Sequence, residues 1–209
     1  MQILSHRGCW SDVKEKNAMT AFKRSFSLGF GTETDLRDQG GRLVISHNPA
    51  LGNALTAEEF FSEYVRHEES LPLALNIKAD GLQQLLEEML ATYKVSNYFV
   101  FDMSVPDTIL YLKSGFRVFA RQSEYEPTPA LYDQIAGVWI DHFQSDAWIN
   151  SDIVENHIAK GKQVCLVSPE LHGRAHEFFW NRLAEMPVAT SSEVMLCTDY
   201  PEEAKSFFV

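Results

Sequence analysis

The apolar positions of this chain recur with two different periods. Short runs rich in β-branched and aromatic residues predict eight strands: QILSH at 2–6, GTETDLR at 31–37, LALNIKA at 73–79, YFVFDM at 98–103, RVFAR at 117–121, GVWIDHF at 137–143, QVCLVS at 163–168 and VMLCTDY at 194–200. Between them a 3.6-residue period predicts helices over 17–29, 56–67, 81–93, 105–115, 129–136, 151–161, 175–186 and 201–209. Thr56 and Glu59 have the spacing of a capping box, and Gly29, Gly115 and Gly161 stand where helices stop. The segment GRLVISHN at 41–48 is a further strand-like piece inside the second unit and carries His47. Strands alternating with helices through short connections predict a compact TIM (β/α)8 barrel, one α/β domain over residues 1–209. Phe178, Phe179 and Trp180 read as helix core, and Glu58, Glu59, Glu68, Glu69, Glu87 and Glu88 as solvated helix faces.

Active sites of such barrels lie at the C-terminal ends of the strands, so the polar residues there bear the chemistry. Alternation along a strand puts Glu33 and Asp35 of TETDL on one face, with Arg37 next along. Two adjacent carboxylates repel unless a cation neutralises them, and a hard divalent ion with oxygen ligands is the natural partner. By the same rule ALNIKA presents Asn76 and Lys78 together, a neutral oxygen donor and a point cation. His6, Arg7, His47 and Lys78 then surround a carboxylate–metal centre. That inventory suits cleavage of a phosphodiester: cations hold the non-bridging oxygens while two imidazoles move protons on and off oxygen.

Charge narrows the field. Eighteen Lys and Arg against 29 Asp and Glu give a formal net charge of −11 over 209 residues, a far field that repels nucleic acid and anionic lipid. An anionic small-molecule substrate must therefore meet its cations inside a pocket. At 45% hydrophobic the chain can bury one substantial core. No apolar run approaches the roughly 18 residues of a membrane helix, so no stable membrane insertion and a cytoplasmic location are expected. Cys9, Cys165 and Cys197 are too widely spaced for a zinc pattern and read as buried free thiols.

Several pieces, in order, resemble the glycerophosphodiester phosphodiesterases, within the wider group that includes phosphatidylinositol-specific phospholipase C. They are HRG at 6–8, Asn17 with Ala21 and Phe22, Gly31 with ETD at 33–35, LVISHN at 43–48, NIK at 76–78 and TDYP at 198–201. The resemblance covers almost the whole chain. It implies a TIM barrel, a divalent metal (Mg2+ or Ca2+, with Mn2+ a third candidate) on Glu33 and Asp35, and His6 and His47 as general acid and base. Arg7 and Lys78 would then hold the phosphate. The chain departs from the family at Asn76, where a Glu is usual, at Lys16 before Asn17, at Asn48 after His47, and in CLVSPELHGR. The amide at 76 removes one anionic ligand, and Asp102 at the end of YFVFDM is the expected substitute. The implied reaction is metal-dependent hydrolysis of a glycerol or similar polyol phosphodiester. One rival reading changes the substrate to a phosphodiester-linked sugar or head group of surface polysaccharide metabolism, and another makes the barrel a non-catalytic binder of a phosphorylated ligand.

Other polar residues at strand ends are read more plainly. His142 and His172 are expected to be structural. Arg121, a candidate substrate contact, and Asp141 and Glu170 serve either substrate or barrel-top salt bridges. The sequence does not give the oligomeric state.

Overall fold

A computed structural model of the chain describes residues 1–67 and 71–208; Glu68, Glu69 and Val209 of the predicted helices lie outside them. Eight parallel strands follow the order of a TIM (β/α)8 barrel, with a helix after each of them except β6: β1 (Gln2–His6), β2 (Gly31–Gln39), β4 (Leu73–Ile77), β5 (Tyr98–Phe101), β6 (Phe119–Gln122), β7 (Gly137–Ile140), β8 (Gln163–Val167) and β9 (Val194–Thr198). The extra piece at 41–48 is β3 (Arg42–Ile45), antiparallel to the end of β2 with Arg37 opposite Val44. The helices are α1 (Met19–Ser27), α2 (Ala57–Tyr64), α3 (Gln83–Thr92), α4 (Val105–Lys113), α5 (Ser151–Ala159), α6 (Glu177–Ala184) and α7 (Pro201–Phe208). The helix predicted over 129–136 does not form. Pro127 and Pro129 bias the residues before them away from helix, and Leu131 adopts φ 54°, which a right-handed helix cannot include.

Contacts group the chain into two units, Ser5–Val118 and Met1–Leu4 with Phe119–Val209. In the first, parallel ladders join β2 to β4 and β4 to β5. Its helix layer is aromatic: Phe22 and Phe60 meet edge-on at 4.7 Å, and Phe26 meets Tyr64 at 5.4 Å. The predicted box forms at α2, where Thr56 Oγ1 accepts from the Glu59 amide and Glu59 returns to the Thr56 amide. Where β1 and β2 present hydroxyls, Ser5, Ser25 and Thr32 bond one another at 2.7–3.3 Å, so these buried groups are satisfied locally. In the second unit β6, β7, β8 and β9 pair in succession. There Phe179 and Trp180 are buried as expected, whereas Phe178 is 83% exposed, because three consecutive residues span 200° of a helix and cannot share its inner face.

Gly8 explains the third letter of HRG. It follows Arg7 in a turn with φ 87°, and a Cβ there would lie 2.8 Å from the Ala21 carbonyl carbon and Cβ, so the turn after β1 seats directly on α1. The Cys9 amide donates to the Ala21 carbonyl at 3.1 Å to close this contact. Gly8→Ala is expected to destabilise the protein by about 2–5 kcal/mol, combining left-handed strain with overpacking. Urea denaturation measures it, and a loss below about 0.5 kcal/mol would refute the close-packed turn.

Candidate active site in the β1–β5 unit

β2 is buried along the length that carries the chemistry. Glu33 is 1% exposed and Asp35 0%, two side chains on one face as the alternation predicts. Burial drives Glu33 up to about 8, helped by the negative charge of Asp35 and opposed by Arg7, Lys78 and the Asn76 amide. Asp35 keeps company that favours its charge: Asn17 Nδ2 donates to Oδ2 at 2.8 Å, Arg7 Nε lies 2.8 Å from the same oxygen, and Lys78 Nζ lies 3.6 Å from Oδ1. The Arg7 approach is off the N–H axis, so that pairing is Coulombic rather than a formed hydrogen bond.

Neighbouring strands supply the rest by register. Asn76 pairs with Asp35 across β2 and β4 and donates from Nδ2 to Glu33 Oε1 at 3.3 Å. Its own Oδ1 is buried with no donor, as is Asp35 Oδ1. Asp102 follows β5 at φ 73° and takes Lys78 Nζ at 3.0 Å. The turn after β1 delivers Arg7 at φ 59°, and its amide donates to the Glu33 carbonyl at 3.0 Å and to Oε2 at 3.2 Å. His6 Nε2 stands 4.0 Å from Glu33 Oε2.

His47 lies on the loop after β3. The Ser46 amide donates to the Asp35 carbonyl at 3.0 Å, which ties the residue before His47 to β2. The imidazole is exposed, and its Nδ1 lies 3.2 Å from Asn48 Oδ1. An amide oxygen only accepts, so Nδ1 is the donor in this contact.

His6, Arg7, Glu33, Asp35, His47, Asn76, Lys78 and Asp102 thus all lie in this unit. Arg121 belongs to the other, where its guanidinium pairs with Glu126 and lies 5.7 Å over the Phe143 ring. There Asp141 takes His172 Nε2 at 2.6 Å, Glu170 accepts from the Asp199 amide at 3.0 Å, and buried His142 bonds the Val167 carbonyl at 2.6 Å. Asn17 is the residue whose importance strand-end reasoning missed. It sits at φ 61°, takes a bond from Thr34 Oγ1 at 3.0 Å, and is joined through its amide to the Arg7 carbonyl at 2.9 Å. Asn is one of the few side chains that tolerate this backbone region, which is the signal its position before a helix carried.

No family model and no curated protein matches the chain by sequence. Solved structures do. A candidate glycerophosphodiester phosphodiesterase from Galdieria sulphuraria aligns over 99% of this chain and 97% of its own, with TM-score 0.77 and 18% identity. A glycerophosphodiester phosphodiesterase from Parabacteroides distasonis aligns over 99% and 96%, with TM-score 0.70 and 13% identity. A Ca2+-dependent phosphatidylinositol-specific phospholipase C from Streptomyces antibioticus aligns over 100% and 96%, with TM-score 0.57 and 12% identity. The group that the ordered motifs resemble is therefore also the group whose fold this chain shares.

Proposed function

We propose that the chain is a phosphoric diester hydrolase acting on a small-molecule glycerophosphodiester or similar polyol phosphodiester. The observation that supports this reading is the buried pair of carboxylates on β2 with His6, Arg7 and Lys78 beside it, and His47 on a loop whose preceding residue is tied to the Asp35 carbonyl. The likeness to phosphodiesterase structures supports it.

The oxygens present suit a hard divalent cation. Among the described residues no three His, Cys, Asp or Glu side chains form such a group, because the third oxygen here is an amide's. Glu33, Asp35 and Asn76 would hold the ion, and the buried, donorless oxygens of Asp35 and Asn76 are the places it would satisfy. Asp102 is engaged by Lys78 and in this arrangement serves the lysine. When bound, the ion would supply electrophilic stabilisation of the phosphoryl oxygens. His47, on its exposed loop, accepts the proton of the attacking hydroxyl, and His6 beside Glu33 returns one to the leaving alkoxide. Arg7 lies against Asp35, and Lys78 bridges Asp35 and Asp102, keeping the β2 and β5 ends together.

His6→Ala and His47→Ala are each expected to lower kcat on bis(4-nitrophenyl) phosphate by about 10²–10⁴ at unchanged melting temperature. Near-parental turnover in either would refute the two-histidine mechanism. The Glu33 carboxyl, raised from its ordinary 4.5 to about 8, gives a stability prediction with a definite sign. Between those values the unfolded chain has released the proton that the folded chain keeps, so raising pH across this window favours unfolding. In chelator, Tm should fall from pH 5 to pH 8. Glu33→Gln should flatten that dependence, and millimolar Ca2+ or Mg2+ should restore parental Tm at pH 8. A parent whose Tm ignores both pH and metal would count against the buried pair as a cation site. Calorimetry completes the set: Asn76→Glu should bind Ca2+ more tightly than the parent, since hard-cation affinity follows the charge of the oxygens.

A further inference from the structure

We propose that Arg37 is the anion receptor of the candidate site, binding the substrate phosphate through its guanidinium; this deepens the phosphodiesterase reading and rests on it. The cations first assigned to the phosphate already have partners. Arg7 lies against Asp35, and Lys78 is shared between Asp35 and Asp102. A phosphodiester entering beside Glu33, Asp35 and Asp102 needs positive charge that no carboxylate has claimed.

Arg37 has it. It lies two residues beyond Asp35 on β2, on the face that Glu33 and Asp35 share, about 7 Å further toward the strand's C-terminal end. Among the described residues no carboxylate pairs with it. Its guanidinium donates from Nη2 to the His47 carbonyl at 3.3 Å, and its Nε is buried without an acceptor. The side chain as a whole is half-buried. A guanidinium cannot shed its charge, and a buried N–H with no acceptor is costly, so this arrangement is completed by an anion.

The neighbouring residue shows that tethering the loop needs no charge. Gln39, on the same face, holds the same loop with a neutral amide, donating to the Ala50 carbonyl at 3.2 Å and to the Gly52 carbonyl at 2.9 Å. A second amide at 37 would suffice to hold His47. The guanidinium adds a fixed charge and further donors in a plane, the geometry that matches two oxygens of a phosphate. Arg37 would then touch the substrate and, through the His47 carbonyl, set the height of the imidazole above it.

The test uses inorganic phosphate as probe, titrated calorimetrically into the parent, Arg37→Gln, Arg37→Lys and Arg42→Gln, with bis(4-nitrophenyl) phosphate kinetics alongside. Gln keeps a donor for the His47 carbonyl, and Lys keeps the charge without the fork. Arg42 lies on the same hairpin opposite Gln39 and serves as control. Phosphate affinity should weaken about tenfold or more in Arg37→Gln, by less in Arg37→Lys, and not in Arg42→Gln. KM should rise in step while kcat changes by much less. Parental phosphate affinity in either folded Arg37 variant, or a loss confined to kcat at parental KM, would overturn the proposal and leave Arg37 a strut for the loop. A parent that binds no phosphate at millimolar concentration would overturn it too. A parent that binds phosphate through Arg37 and hydrolyses no diester would keep the receptor and remove the hydrolase reading.

Discussion

Two carboxylates on the same face of a buried strand are the constraint from which the rest of this site follows. Both are removed from water, and for Glu33 that burial and the nearby charge of Asp35 penalise ionisation. The surrounding unit is arranged to offset that penalty. Donors come from the side chains of Asn17 and Asn76 and the backbone of Arg7, and positive charge from Arg7 and Lys78. Of the five non-glycine residues with positive φ among the described residues, Arg7, Asn17 and Asp102 all serve this cluster. Left-handed backbone costs about 1–3 kcal/mol per residue and persists where its surroundings enforce it, and here it delivers donors and charge to oxygens that regular strands could not reach.

Lys78 shows how tightly the charges are interlocked. One ammonium serves Asp35 on β2 and Asp102 beyond β5, so the charge state of one strand end is felt at another. The amide at 76 fits the same economy of charge: it gives Glu33 a hydrogen bond that a carboxylate in its place could not donate.

Much of this was legible in the sequence because it depends on strict period and order. Strand alternation put Glu33 with Asp35 and Asn76 with Lys78, the Thr56–Glu59 box marked the start of α2, and the motifs appeared in the order the fold requires. What escaped depends on backbone conformation and on partners distant in sequence. The helix over 129–136 looked periodic, yet Leu131 takes a left-handed turn. The pairing of Asp102 with Lys78 rests on the loop after β5, which hydrophobic pattern does not encode. Arg37 was visible as a strand-end residue, but that no acid among the described residues answers its charge depends on the folded arrangement.

The two candidate acid–base residues are carried by unlike supports. His6 closes a strand whose neighbours Leu4 and Ser5 are fully buried, so its position is dictated by the core. His47 rides a surface loop held by side chains of the β2–β3 hairpin, outside the parallel strands. Surface loops accept insertion and exchange far more readily than strands do. The segment from Ser46 to Leu55 can therefore be lengthened or remodelled while the carboxylate pair and His6 stay where they are. The hairpin thus divides the candidate acid–base pair between a support that the core dictates and one that it leaves free to change.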